Sequence, residues 1–306
     1  MRIVFAGTPD VAVPSLTALL ASRHEVVAVV TRPDAPSGRG KKLTASPVAE
    51  RAEAAGIEVL KPKRAKDEDF VARLTELAPD CCPVVAYGAL LPQRVLDIPT
   101  HGWVNLHFSL LPAWRGAAPV QHAILAGDQV TGATTFRIVL ELDAGPTYAT
   151  VTEPIRPDDT SGDLLERLSL SGATLLVETL DAIEAGAEPQ PQAESETSYA
   201  AKINVEDAMI NWQRPADELD RLIRGSAPAP GAWTTFRGER FKINSARIAA
   251  NNLPPGALEI TKKSVQVGTA TRALELGQVQ AQGKKPMPAA DWARGISFDE
   301  IPVLGG

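Results

Sequence analysis

The chain has 306 residues, of which 44% are hydrophobic and 22% are charged, a composition typical of globular proteins and a length sufficient for two domains. The formal net charge of −6 at pH 7 argues against general nucleic-acid binding, which normally requires a basic domain. The only cysteines, Cys81 and Cys82, are adjacent, which excludes a disulfide framework and offers no metal-ligand spacing. Because neither a secretory signal nor an apolar run of membrane-spanning length is visible, we expect a cytoplasmic protein without membrane contact or a bound metal.

The charge is distributed unevenly along the chain. Residues 207–306 hold 13 basic and 10 acidic residues, whereas residues 1–206 hold 18 and 27. The C-terminal part is therefore the better candidate for contact with a polyanion.

The first 150 residues alternate short apolar runs with amphipathic stretches. Strands are predicted at residues 2–6, 25–30, 56–60, 82–86 and 103–106, and helices at 14–21, 48–55, 68–77 and 92–98. This alternation predicts an α/β domain with a Rossmann-like, mostly parallel sheet. In such a sheet the ligand crevice lies beyond the carboxyl ends of the strands.

The turn after the first predicted strand reads Ala6-Gly7-Thr8-Pro9-Asp10. It contains one glycine where a dinucleotide-binding turn has the pattern Gly-x-Gly-x-x-Gly, so the backbone cannot approach a pyrophosphate in the usual way. We therefore exclude an NAD-dependent dehydrogenase.

A long Pro/Gly loop at residues 31–43 carries four positive charges and one negative charge. Loops of this length inside a compact domain are usually functional or disordered. Gly38 and Gly40 would let Arg39 approach a phosphate backbone closely, although on composition alone a solvated loop is the more common explanation.

Three polar residues of the central region have the chemistry of an acyl-transfer site. Asn105 and His107 lie two positions apart on the predicted strand at 103–106, so their side chains leave the same face, and Asp143 follows in Leu142-Asp143-Ala144-Gly145. An amide can donate to an oxyanion, an imidazole can move a proton, and a carboxylate can orient and support the imidazole. No serine or cysteine stands in a nucleophile elbow, so we expect the acceptor itself to attack.

The second half of the chain changes character. Further strands are predicted at 131–140 and 149–155 and a helix at 161–185, followed by a stretch rich in Glu, Pro, Gln and Ser that forms a linker or an extended strap. Short runs punctuated by Gly, Pro and Asn, at 233–236, 240–243, 246–248, 257–260, 264–267 and 273–276, predict a small antiparallel barrel.

These motifs resemble the folate-dependent formyltransferases. The resemblance includes Asn105, His107, Ser109-Leu110-Leu111-Pro112, Trp114-Arg115-Gly116-Ala117-Ala118-Pro119 and Leu142-Asp143-x-Gly145. The C-terminal part is similar to the tRNA-acting members of the family, in Tyr199-Ala200-x-Lys202-Ile203, Pro230-Gly231-Ala232-Trp233 and Gly283-Lys284-Lys285-Pro286. The resemblance implies a formyltransferase catalytic domain at 1–186, a linker at 187–206 and an OB-like tRNA-binding domain at 207–306.

The resemblance also implies roles for individual residues. Asn105, His107 and Asp143 would be catalytic. The folate pocket would be lined by Tyr87, Gly88, Leu91, Pro92, Ser109, Leu110, Leu111 and Pro112. The resemblance assigns tRNA contacts to Arg39, Lys41 and Lys42. From their own spacing, Arg221 and Arg224 on one helical face and Lys284 and Lys285 in a Gly-Pro turn are two further basic pairs that we predict to contact tRNA.

The expected activity is transfer of the formyl group of 10-formyltetrahydrofolate, a co-substrate, to the α-amino group of methionine on initiator tRNA, by a monomeric enzyme. A formyltransferase acting on a nucleotide sugar or on glycinamide ribonucleotide would use the same three polar residues, but the basic loop and the C-terminal barrel argue against it. A tRNA-binding module with a decayed active site is a further alternative. It is disfavoured because all three polar residues of the proposed site are present.

Overall fold

The structure, a computed structural model, describes residues 1–37, 42–193, 196–296 and 303–305. Arg39 and Lys41, both predicted tRNA contacts, lie outside these ranges. The chain forms two compact units. Unit 1 comprises Met1–Gly116, Val130–Pro154 and Leu165–Tyr199, and unit 2 comprises Ala117–Gln129, Ile155–Leu164 and Ala200–Gly306.

Unit 1 is built around a seven-stranded sheet. Its strands and short hairpin segments are β1 (Arg2–Gly7), β2 (Glu25–Val30), β3 (Ala35–Ser37), β4 (Lys42–Thr44), β5 (Glu58–Leu60), β6 (Cys82–Val85), β7 (Trp103–His107), β8 (Arg115–Gly116), β9 (Val130–Arg137) and β10 (Thr147–Pro154). The strand order is β10-β9-β7-β6-β1-β2-β5. The last five of these strands run parallel, whereas β9 is antiparallel to both β7 and β10. The predicted α/β domain with a mostly parallel sheet is confirmed.

Helices connect the parallel strands. They are α1 (Val13–Leu20), α2 (Pro47–Glu53), α3 (Glu68–Leu77) and α4 (Gln93–Leu96); α5 (Pro119–Ala126) belongs to unit 2, and α6 (Ser161–Glu184) runs from unit 2 into unit 1. Helix α2 begins where the sequence favours it, because the Ser46 hydroxyl accepts from the Ala49 amide at 3.1 Å and Pro47 occupies the first turn. None of the described helices is long and apolar enough to cross a lipid bilayer.

The parallel strands are buried on both faces, which explains their continuous apolar sequences. All four residues of β6 are buried, as are Ile3, Val4 and Phe5 of β1. Cys81 is also fully buried, and burial raises the pKa of its thiol to about 12. Both cysteines therefore serve as small packing residues.

Gly7, the last residue of β1, lies where a larger residue would collide with its neighbours. A Cβ at this position would lie 2.8 Å from Cε1 of Phe5 and 2.9 Å from Cβ of Ala12. The glycine thus permits close packing of the turn on its own strand.

The predicted linker is attached to unit 1. Gln190 and Thr147 exchange two backbone hydrogen bonds of 2.8 Å, and the Ser198 carbonyl accepts from the Arg115 amide at 2.9 Å. Residues 190–193 and 196–198 therefore form an extended segment on unit 1, here called the strap. The short strand β11 (Tyr199–Ala200) follows it.

Unit 2 is dominated by antiparallel strands. They are β12 (Trp233–Phe236), β13 (Glu239–Ile243), β14 (Ala246–Ile248), β15 (Leu258–Ile260), β16 (Val265–Val267), β17 (Leu274–Leu276), β18 (Gln278–Ala281) and β19 (Met287–Pro288), with helices α7 (Ala216–Gly225) and α8 (Ala289–Arg294). They form two sheets, ordered β12-β13-β18-β19 and β14-β17-β16-β15. The described residues therefore form a β domain of two four-stranded sheets, and no closed barrel is seen among them.

Candidate active site

Strand β7 carries two of the predicted catalytic residues to the carboxyl edge of the parallel sheet. Asn105 pairs with Val84 of β6 on one side and with Phe136 of β9 on the other, and His107 pairs with Thr134. The intervening Leu106 is buried from the other face of the sheet. Within the described part of the chain the Asn105 side chain makes no hydrogen bond, so its amide is available to a ligand.

The His107 ring is buried and its tautomer is fixed by the protein. Its Nε2 lies 2.9 Å from the carbonyl oxygen of Trp114, and because a carbonyl can only accept, Nε2 must carry a hydrogen and donate it. In the neutral ring Nδ1 is then unprotonated, and it faces Oδ2 of Asp143 at 3.8 Å. That distance exceeds a hydrogen bond, so Asp143 acts on the ring through its charge.

Burial lowers the pKa of His107 below its ordinary value of 6.5, while the Asp143 carboxylate and the Trp114 carbonyl oppose that shift. The net lowering keeps the imidazole neutral at pH 7, with Nδ1 able to accept a proton. A proton arriving at Nδ1 would place a positive charge directly beside the Asp143 carboxylate.

Asp143 is held in a defined position by the neighbouring chain. Its Oδ2 accepts from the backbone amide of Gly116 at 2.8 Å, and its backbone adopts the left-handed region at φ 49°. Trp114 is also left-handed, at φ 59°. Both residues that face the His107 ring therefore have backbone conformations that cost about 1–2 kcal/mol each for a residue other than glycine.

The two segments predicted to line the folate pocket emerge side by side. Strands β6 and β7 are adjacent and parallel, so the loops after them, residues 86–92 and 108–114, leave the same sheet edge. Of the predicted pocket residues, Tyr87 and Ser109 are buried and Gly88 is exposed. The other five are half-buried: Leu91, Pro92, Leu110, Leu111 and Pro112. The Ser109 hydroxyl donates to the Ala113 carbonyl at 2.6 Å, which indicates that it shapes the loop.

The predicted tRNA contacts fall into two groups. Lys42, Lys284 and Lys285 are exposed. Arg221 and Arg224 are instead engaged within unit 2. Arg221 pairs with Asp217 and donates to the Leu125 carbonyl, and Arg224 pairs with Asp220 and donates to the Asp159 carbonyl. Each arginine thus has a partner one helical turn away and a second on another segment.

One cluster of metal-type ligands occurs in the described ranges, formed by His24, Asp181 and Glu184. Its carboxylates already face cations, since Glu184 lies 2.8 Å from the amino group of Met1 and 2.7 Å from Arg23. We therefore interpret it as an ion-pair cluster.

Sequence reasoning missed two groups at the site. The Trp114 carbonyl, which fixes the His107 tautomer, is a backbone atom, and Gln192, which bonds to the Asp143 loop, lies in a polar stretch without periodicity. Only the motif around Trp114 could have drawn attention to that segment.

Comparison with known proteins gives the family. A family model described as formyl transferase matches residues 1–180, and a second, described as formyl transferase, C-terminal domain, matches residues 202–297. The chain belongs to the formyl transferase family.

Full-length relatives give a finer comparison. The chain is 67% identical to the methionyl-tRNA formyltransferase of Thermobifida fusca, over 100% of this chain and 99% of that protein. It is 64% identical to the methionyl-tRNA formyltransferase of Streptomyces coelicolor, over 100% of both chains. In fold it is similar to a crystal structure of HypX from Aquifex aeolicus in complex with tetrahydrofolic acid, with a TM-score of 0.67 at 18% identity, over 99% of this chain and 50% of that one.

The turn after Asp143 provides a test of local packing. At Gly145 a Cβ would lie 1.7 Å from the Arg137 carbonyl oxygen, so Gly145→Ala must displace backbone. We expect it to lower the free energy of unfolding by about 3 kcal/mol, as a severe case of overpacking, measured by chemical denaturation. Gly186 is the matched control, because its φ is 92° and nothing lies within 4 Å of its Cβ position; Gly186→Ala should cost only about 1 kcal/mol of backbone strain. Equal losses in the two variants would contradict the steric explanation.

Proposed function

We propose that the chain transfers the formyl group of 10-formyltetrahydrofolate to the α-amino group of methionine on initiator methionyl-tRNA. The single observation that supports this most is the 67% identity to a methionyl-tRNA formyltransferase, which extends over 100% of this chain and 99% of that protein. The assembly of Asn105, His107 and Asp143 at one sheet edge provides matching chemistry.

The reaction needs a neutral amine and an acceptor for one proton. The amine nitrogen attacks the formyl carbon, which forms a new C–N bond and a tetrahedral oxyanion. The bond from that carbon to N10 of the folate then breaks, and the folate nitrogen leaves with a proton while the attacking nitrogen loses one. An α-amine with a pKa of about 8 is partly neutral at pH 7 and requires no strong base before attack.

Asn105 donates its side-chain amide to the oxyanion. A preorganised donor of this kind is effective because it costs no reorganisation during the reaction. The amide is free of protein hydrogen bonds in the described part of the chain, which supports the assignment.

His107 accepts the amine proton at Nδ1. The Trp114 carbonyl holds the hydrogen on Nε2, which leaves Nδ1 as the basic nitrogen, and Asp143 at 3.8 Å stabilises the imidazolium that forms. Folate binds beside them, along the loops containing Tyr87, Gly88, Leu91 and Pro92 and containing Ser109, Leu110, Leu111 and Pro112.

Unit 2 binds the tRNA body, and we propose an OB-like domain for its two sheets. The sheets share one core that includes Phe241, Ile243, Val267 and Leu276. The chain passes from β13 to β14 and from β17 to β18 at one corner, where the Gly277 amide donates to the Ser245 carbonyl at 2.8 Å. Strands that switch sheets at a bend are how such domains turn corners.

For tRNA contact we retain Arg39, Lys41 and Lys42 of the basic loop and Lys284 and Lys285 of unit 2. Arg221 and Arg224 are weaker candidates, because their charges are already paired. We propose that the enzyme acts as a cytoplasmic monomer.

A formyl-transfer assay tests the function. Methionine-charged initiator tRNA, methionine-charged elongator tRNA and a nucleotide-linked amino sugar are each offered with 10-formyltetrahydrofolate. We expect turnover on the initiator tRNA to exceed that on the other acceptors by 100-fold or more, the range of discrimination that binding differences of about 3 kcal/mol provide. Preference for the amino sugar would replace the proposal with the sugar-formyltransferase alternative.

The roles of the two strand residues predict large kinetic effects. Asn105→Ala and His107→Ala should each lower kcat by about 10² or more, because an oxyanion donor and a general base are typically worth that much. Folate binding, followed by fluorescence titration, should be nearly unchanged. A kcat within a fewfold of wild type in either variant would exclude that residue from the mechanism.

The Asp143 charge predicts a shift in the pH profile of kcat. Neutral His107 is the active form, and burial lowers its pKa, so protonation of the ring should add a second, steeper fall in kcat below pH 6.5, beyond the decline that protonation of the substrate amine, with a pKa of about 8, already causes. Asp143→Asn removes the group that opposes this lowering, so the acid limb should move to still lower pH while kcat decreases. The substrate amine titrates equally in both proteins. An unmoved limb would show that the carboxylate does not act on His107 electrostatically.

The lysine pair of unit 2 is predicted to bind tRNA phosphates. Lys284→Ala with Lys285→Ala should raise the KM for charged tRNA and reduce the slope of log K against log salt by about one unit for each phosphate that is no longer neutralised. The matched control is Lys262→Ala with Lys263→Ala, which removes the same charge from another exposed turn of unit 2. Equal effects of the two pairs would indicate a general charge effect without a binding surface at 284–285.

A further inference from the structure

The side chain of Gln192 forms four hydrogen bonds and joins three parts of unit 1. Its Nε2 donates to the carbonyl oxygens of Asp143 and Gly145, both at 2.8 Å. Its Oε1 accepts from Nε of Arg115 at 3.1 Å and from Nη2 of Arg115 at 2.7 Å. Both donors and both lone pairs of the amide are used. Because the carbonyls can only accept and the guanidinium can only donate, no other orientation of the amide satisfies all four partners.

The bonds to Asp143 and Gly145 hold a strained turn. Asp143 has a left-handed backbone, and such a conformation persists where the surroundings over-determine it. The Gly116 amide holds the carboxylate of Asp143, and Gln192 holds its backbone. Asp143 is therefore held both at its carboxylate, which lies opposite His107, and at its backbone.

The strap also holds the other partner of His107. The Ser198 hydroxyl accepts from the Trp114 amide at 2.9 Å, and the Ser198 carbonyl accepts from the Arg115 amide at the same distance. Trp114 in turn presents its carbonyl to Nε2 of His107. The strap thus contacts both Trp114 and Asp143, the two residues whose oxygen atoms face the ring nitrogens.

We infer that Gln192 is a positioning residue for formyl transfer, acting through the backbone of Asp143 to keep its carboxylate opposite Nδ1 of His107. The inference rests on the proposed function. Gln192 does not touch the reacting atoms in this assignment. Its effect on the rate comes from the position of the Asp143 charge.

Two substitutions separate the two sides of the Gln192 amide. Gln192→Ala removes all four hydrogen bonds, whereas Gln192→Glu keeps an acceptor for Arg115 but turns an oxygen toward the carbonyls of Asp143 and Gly145. Both variants should lower kcat by about 10-fold or more, the effect of a sub-ångström to ångström misplacement, and leave the KM for folate within twofold. Wild-type kcat in Gln192→Glu would show that only the Arg115 interaction matters and would overturn the inference. Thermal melting establishes that each variant is folded.

Gln190 provides the matched control. It is also a glutamine of the strap, its side chain is exposed, and its bonds to Thr147 are made by the backbone. Gln190→Ala should leave kcat within twofold of wild type. A loss equal to that of Gln192→Ala would attribute the effect to general loosening of the strap and would reject a specific role for Gln192.

A double-mutant cycle tests whether the effect passes through Asp143. In the Asp143→Asn background the charge is already absent, so Gln192→Ala should lower kcat further by less than twofold, measured under single-turnover conditions. A further 10-fold loss would show that the two residues act independently and would contradict the inference.

A measurement on the resting enzyme makes the outcome independent of turnover. The charged group facing His107 is Asp143; its other neighbours, the Trp114 carbonyl and the Phe136 ring at 6.4 Å between centroids, do not titrate. Titration of His107 by NMR should therefore give a lower pKa in Gln192→Ala than in wild type, whereas adding Gln192→Ala to Asp143→Asn should leave the His107 pKa unchanged. An unchanged pKa in Gln192→Ala alone rejects the positioning role even if the enzyme formylates tRNA. Failure of the wild type to formylate tRNA rejects the proposed function instead.

Discussion

The hydrogen bond between Nε2 of His107 and the carbonyl oxygen of Trp114 determines how the rest of the site can operate. Since a carbonyl cannot donate, one ring nitrogen is committed and the other is left as the base. The Asp143 carboxylate then has only one useful position, on the side of Nδ1, where it stands at 3.8 Å. At this distance its charge favours a protonated ring, although it makes no hydrogen bond to the neutral one. In a buried site such an interaction is screened little by salt.

Two residues of this arrangement have strained backbone conformations, and hydrogen bonds to the surrounding chain offset the cost of that strain. Trp114 and Asp143 are both left-handed, at roughly 1–2 kcal/mol each. The Gly116 amide and the Gln192 side chain donate hydrogen bonds to Asp143, and the Ser198 hydroxyl accepts one from Trp114, each worth on the order of 1 kcal/mol. The strap therefore contributes to the stability of both strained residues, although its composition resembles that of a linker.

The sequence was informative where local pattern and tertiary environment agree. Buried parallel strands have continuous apolar sequences, so β1, β2, β6 and β7 were located within a residue or two, and the two-residue spacing of Asn105 and His107 correctly placed both on one face of β7. Strand β18 was missed because Gly277 interrupts the run between β17 and β18; its Cβ would lie 2.5 Å from Ser245 Oγ, a contact that only the fold reveals. The Trp114 carbonyl that faces His107 and the Gln192 side chain that holds the Asp143 turn could not be foreseen, since a backbone atom and a glutamine in a polar stretch leave no periodic signal. The separation of unit 2 into two sheets depends on long-range pairing, which short alternating runs do not specify.

The adjacent cysteines of the sheet have a consequence for chemical reactivity. The thiolate is the form that reacts with thiol reagents and peroxides, and with a pKa of about 12 the Cys81 thiol is almost entirely protonated at neutral pH. Both sulfurs are also sealed from solvent next to β1. The folded protein is therefore inert toward alkylation and oxidation at these positions. The rate at which a thiol-directed label enters measures how often the centre of the sheet opens, and the chain carries this internal reporter of local unfolding without any added probe.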